Sequence, residues 1–143
     1  MDAGAATLLV FLDESGDPGR KFDAGSSALF VVGLVVFDDH DEAIRCDAAI
    51  AAHPSRSGLP SQFEFHFSQN SSRQRDAFLT AVSPFRFQTH IFVVDKRRAF
   101  ETDILRVQTL HQWAARAAFE AARPHLVDAR IVIDGAGDRQ FRR

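Results

Sequence analysis

The sequence predicts an α/β protein in which helices pack on a mixed β-sheet. Three observations carry that prediction. Residues 7–12 (TLLVFL) and 26–37 (SSALFVVGLVVF) are apolar runs of strand length. Residues 100–122 place apolar side chains at spacings of three and four, the period of one helix face. Between these blocks helix-like and strand-like patterns alternate, as they do where helices layer on a sheet.

The first run ends in Asp13-Glu14-Ser15-Gly16-Asp17-Pro18-Gly19, and these glycines with Pro18 and Gly25 form a dense turn signal before the second run. Two strands joined by an extended loop predict an antiparallel hairpin. In residues 38–52, Asp38, Asp39 and Asp41 stand where a helix start favours acids, and Ile44, Ala48 and Ile50 supply an apolar stripe. Residues 54–60 (PSRSGLP) read as a loop. Residues 62–68 (QFEFHFS) alternate, with Phe63, Phe65 and Phe67 on one side and Glu64 and His66 on the other, which predicts a half-buried strand. Ser71-Ser72 can cap a helix through Val82. Residues 84–95 predict another strand. In 100–122, Phe100, Ile104, Val107, His111, Ala114, Ala118 and Ala121 share a face, and Pro124 ends the helix. Residues 128–134 (DARIVID) predict the last strand. The predicted order is β-β-α-β-α-β-α-β in a single domain spanning residues 1–143.

Composition agrees with a globular domain: 45% of the 143 residues are hydrophobic and 25% charged. A chain of this size buries roughly two thirds of its unfolded surface. No apolar run approaches the ~20 residues that span a bilayer, so no membrane partner is expected. An early acid and the lack of a basic start argue against a secretory leader, and a single cysteine excludes an internal disulfide framework or a cysteine zinc cluster. A cytoplasmic location is expected, with Cys46 a packing residue. The net charge of -2 does not mark a strongly basic nucleic-acid binder, although catalytic acids offset local basic patches in such a sum. Lys96-Arg97-Arg98 and Arg139-Gln140-Phe141-Arg142-Arg143 are the two basic clusters. Each reads as solvated surface or as a phosphate contact.

Three acids occupy comparable places. Asp13 ends the first predicted strand, Glu64 lies on the polar side of QFEFHFS, and Asp134 ends the last strand. Acids converging at strand ends repel one another unless a cation sits between them. Hard ions such as Mg²⁺ or Mn²⁺ take oxygen ligands, and a pair of them ~4 Å apart serves phosphodiester hydrolysis. Turn chemistry is the competing reading, because Asp13, Ser15, Gly16, Asp17 and the Asp134-Gly135 pair all suit turns. Alternation keeps Asp13 and Glu14 on opposite sides of a regular strand. His66 shares a side with Glu64 and reads as a metal ligand, proton shuttle, phosphate contact or structural histidine. His111 reads as a core or supporting histidine. Lys96 reads as a surface lysine or a neutraliser of phosphate charge. A calcium loop fails at Pro18 and Ala24, and no GxxxxGK, GxGxxG or G-x-S-x-G motif is present.

In order, Phe11-Leu12-Asp13-Glu14-Ser15-Gly16-Asp17, the apolar strand over residues 30–36, Glu64-Phe65-His66-Phe67, Val93-Val94-Asp95-Lys96 and Val132-Ile133-Asp134 resemble the family catalogued as domain of unknown function 3800. The DESGD segment after a strand is the most specific element, and the match runs over essentially the whole chain. The resemblance implies a ribonuclease-H-like fold and a metal-dependent nuclease acting on DNA or RNA, in a family linked in part to phage defence. It implies Asp13, Glu64 and Asp134 as metal-binding carboxylates, with Glu14 and Asp17 as secondary metal candidates. Together with the oxygen-ligand chemistry above, the leading expectation is Mg²⁺ or Mn²⁺ as cofactor, with His66 or Lys96 assisting catalysis through proton transfer or phosphate charge. The family pattern continues with a helix and a segment of the form Gln-Leu-Ala-Asp, which this chain lacks after Asp134. A C-terminally shortened domain missing one carboxylate and one covering helix is therefore expected. The alternative is a non-catalytic module of the same fold that binds nucleic acid or protein.

Overall fold

The first apolar run forms β1 (Leu8–Ser15) and the second forms β2 (Leu29–Phe37). The computed structural model describes residues 7–101 and 109–133. The two strands pair antiparallel, with Asp13 opposite Gly33, as the hairpin reading predicts. β3 (Gln88–Asp95) pairs antiparallel with β2, and β4 (Ala129–Ile133) pairs parallel with β1. The result is a four-stranded mixed sheet in the order β3-β2-β1-β4. β1, β3 and β4 thus run in one direction and end at one edge of the sheet. β2 begins at that edge, where Leu29 pairs with Asp95.

Alternation divides the sheet into two faces. Val10, Leu12, Phe30, Val32, Leu34 and Val94 point to one face and are buried beneath helix α4 (Leu110–Ala122), through Leu110, Ala114, Ala115, Ala118 and Ala122. Small alanines bring this helix close to the strands, and each buried Val or Leu contributes roughly 1.5–3 kcal/mol. The opposite face carries Leu9 and Phe37, which pack against Ala43 and Cys46 of α1 (His40–Arg56) and Val82 of α2 (Ser72–Val82). Glu42 near the start of α1 accepts from the Arg86 N–H just beyond α2, so the two helices form an antiparallel pair. They cover this face only in part, since Ile91 is 64% exposed and Val93 54%. No helix among the described residues is long and apolar enough to cross a membrane.

Helix starts follow their side chains. Asp39 caps α1 by accepting from the Asp41 and Glu42 N–H groups. Ser71 with Gln74, and Thr109 with Gln112, form capping boxes at α2 and α4.

Four expectations are corrected. Residues 62–68 are not a strand. Phe63 and Phe65 are half-buried while Glu64 and His66 are exposed, but Phe67 is 61% exposed, so the alternation holds only as far as His66, and Phe65 stacks on Phe78 of α2 at 4.1 Å instead of entering a sheet. The His66 N–H donates to the Asn70 side chain, which removes it from any ladder. Second, one helix over 100–122 is replaced by α3 (Lys96–Ala99), ending at Phe100, and α4, which starts after extended Thr109. Ile104 and Val107 lie outside the described residues. The buried stripe of α4 includes Ala122, and Ala121 is exposed. Third, α1 continues through Pro54 to Arg56, because a proline in the last turn removes only one late hydrogen bond. Fourth, β1 does not end at Asp13: Glu14 and Ser15 still pair with Val32 and Val31. The described order is β-β-α-α-β-α-α-β.

Candidate active edge at the end of β1

Asp13 and Glu14 sit on opposite faces of β1 near the edge where three strands end. The Asp13 carboxylate is exposed, and its Oδ1 accepts the Glu14 N–H at 2.8 Å. Its cross-strand partner Gly33 has no side chain; a Cβ there would meet only Ile91 Cδ1 at 3.7 Å and the Asp13 carbonyl at 3.8 Å. The surface beside Asp13 is therefore open. Glu14 faces α4, where its Oε1 lies 3.0 Å from Nδ1 of His111. His111 is half-exposed and meets the Phe30 ring edge-on at 4.9 Å. Position 111 is the second residue of α4, so the helix start delivers its imidazole to the strand end.

The loop after β1 is fastened around Asp17 and Lys96. Asp17 Oδ1 accepts the Gly19 N–H at 2.8 Å and Oδ2 accepts the Ser27 N–H at 2.9 Å. The Ser27 N–H above all, with the Gly19 N–H, the Ser26 hydroxyl and the Lys96 ammonium, holds the Asp17 carboxyl below its ordinary value against an opposing effect of desolvation. Lys96 is not a surface lysine. Its side chain is 0% exposed, and Nζ donates to the carbonyls of Asp17 at 2.7 Å and Gly19 at 2.9 Å, with Asp17 Oδ2 3.6 Å away. Its own N–H donates to the Ala28 carbonyl at 2.9 Å. An ammonium group has three donors, so little of this one is left for a phosphate. Lys96 is a buried fastener, and Asp17 is the anion that compensates it.

Glu64 lies on the segment between α1 and α2, its side chain 84% exposed and 3.4 Å from His66 Nε2. Among the described residues, no three His, Cys, Asp or Glu side chains gather into a group that could hold a metal ion. Asp13 and Glu14 are thus brought to one edge but to different faces, Glu64 and His66 pair with each other, and Asp17 pairs with Lys96. Asp134 lies outside the described residues.

Sequence reasoning does not foresee the Glu14–His111 contact. The signal for it is the Thr109-Leu110-His111-Gln112 capping box, which fixes where α4 begins and hence where position 111 projects. The buried role of Lys96 has a weaker signal, an apolar strand running directly into a lysine. Comparison of the chain with protein-family models, with curated proteins and with solved structures finds no match.

Proposed function

We propose that this chain has a ribonuclease-H-like fold and is a divalent-metal-dependent phosphodiesterase acting on nucleic acid. The observation that carries the reading is the parallel register of β1 and β4, in which Leu12 pairs with Ile133. The residue before Asp13 and the residue before Asp134 therefore lie side by side at one sheet edge. A mixed sheet with β1 at its centre, flanked by its antiparallel partner and by a later parallel strand, is compatible with the proposed fold. The described residues fit a metal in part, since Asp13 offers an exposed carboxylate oxygen of the hard type that Mg²⁺ or Mn²⁺ takes. Such an ion, when bound, would polarise a phosphodiester and lower the pKa of a bound water.

The other residues support that edge. Glu14 is held by His111 and cannot turn to the Asp13 face without leaving its strand register. Asp17 and Lys96 fix the loop beside Asp13 and leave the chemistry to other groups. Glu64 and His66 ride on a loop outside the sheet, so they would contact substrate or metal from a separate element.

The test is the Asp13→Asn variant assayed on mixed DNA and RNA with Mn²⁺. Cleavage is abolished and the thermal transition without metal is unchanged; retained turnover sinks the assignment. A second reading is a binding module of the same fold, favoured by the exposure of Glu64 and its pairing with His66. In that case Mn²⁺ does not raise the melting temperature of the wild type, because nothing binds the native state preferentially.

A further inference from the structure

The loop that Lys96 fastens forms one wall of a surface cleft of about 490 Å³, lined by Arg20, Lys21, Phe22, Asp23, Ala24 and Arg97. Three of these six are cations and one is an acid. Arg20, Lys21 and Arg97 are exposed, and Arg98 beside them is exposed as well. The two guanidinium groups are held by rings: Arg20 Cζ lies 3.9 Å from the Phe100 centroid and Arg97 Cζ lies 5.4 Å from that of Phe22. Stacking on a ring restrains a guanidinium while leaving its edge N–H groups free to reach outward. Beneath the cleft, Lys96 is paired with Asp17 and adds little net charge. The excess of cations is thus carried by the side chains that line the opening.

We propose that this cleft binds the phosphate backbone of a nucleic-acid strand and leads it to the edge that carries Asp13. The proposal rests on the nuclease reading for its ligand class. The geometry supports it in two ways. The loop over residues 16–28 starts directly after β1, and α3 starts directly after β3, so both walls stand at the edge where β1 and β3 end. Planar, ring-supported arginines are also the side chains suited to bidentate contact with phosphate oxygens.

The experiment measures fluorescence anisotropy of a labelled oligothymidylate in excess chelator, so that no cleavage occurs. Wild type, Arg20→Glu/Arg97→Glu, Lys21→Glu and a remote control, Arg73→Glu on exposed α2, are compared across salt concentrations. The double reversal is expected to weaken binding at least about tenfold and to flatten the salt dependence by about 0.7 for each phosphate that is no longer neutralised. Lys21→Glu, which disturbs neither stacked arginine, moves binding the same way by a smaller factor. Arg73→Glu leaves the wild-type curve in place. Absence of binding by the wild type, or an equal loss in Arg73→Glu, overturns the proposal. Failure of the nuclease reading shows differently: wild type that binds the strand but does not cleave it with Mn²⁺ leaves the cleft standing and removes only the catalysis.

Discussion

Two loops of similar length carry acids that the sequence marks as functional, and they are held by different physics. The loop after β1 is fastened through its backbone. Lys96 takes two of its carbonyls, Asp17 takes two of its N–H groups, and Gly16 and Gly19 make the close approach possible. Gly16 has φ +112°, and a Cβ there would stand 2.9 Å from the Leu29 carbonyl oxygen. The segment between α1 and α2 is fastened through side chains instead, chiefly Phe65 stacked on Phe78, with buried Asn70 accepting the His66 N–H. The first arrangement fixes the main chain and consumes its own acid, Asp17. The second seats half-buried Phe65 on α2 and leaves Glu64 and His66 in solvent.

The largest test of that contrast is Lys96→Met, which keeps the volume but leaves two carbonyls without their donor and removes the cation beside Asp17. A loss of about 3 kcal/mol is expected in urea unfolding. A loss within about 0.5 kcal/mol would mean that the buried ammonium does not fasten the loop. Gly16→Ala follows, at about 2 kcal/mol, because a left-handed backbone and a backbone oxygen oppose the new Cβ. Phe65→Ala should cost about 1 kcal/mol globally while making residues 57–70 sensitive to protease, since aromatic stacking is what seats that segment.

Asp17 is read through pH. Its carboxyl is lowered in the folded state from 3.8, so its contribution is present above that value and is lost as pH falls through the folded pKa. Asp17→Asn should therefore destabilise at neutral pH and converge on the wild type below pH 3.8, in paired denaturation curves. Glu64→Gln closes the series, with a stability change within about 0.5 kcal/mol, because an exposed pair with His66 is screened. Loss of Mn²⁺-dependent cleavage in that same variant would assign Glu64 to chemistry, as the two readouts are independent.

The legible parts of the fold are those whose partner is local or whose pattern is strong. β1, β2 and their hairpin follow from apolar runs and turn residues, and the first two helices follow from their caps; the stripe read for α1 does not hold, since Ile44 is 58% exposed, Ile50 39% and Ala48 is exposed too, while Ala43 and Cys46 face the sheet. QFEFHFS does not become a strand because period two reports which side is wet, and only a neighbouring strand makes it a ladder. The long helix is interrupted because Phe100 to Val107 continue the period while Thr109 and Gln112 reset the backbone. At the site, alternation separates Asp13 from Glu14, since it needs only the strand itself. The burial of Lys96 is not legible because its partners are the carbonyls of residues 77 and 79 positions away, and a carbonyl carries no sequence signature.

Cys46 gives the partly covered sheet face a clock. It is the sole thiol of the chain, 5% exposed between α1 and the sheet, and burial pushes its pKa up. A thiol reagent reaches it only when the α1–α2 pair lifts from Leu9 and Phe37. The rate of its labelling under native conditions therefore counts how often that half of the molecule opens, with no residue changed.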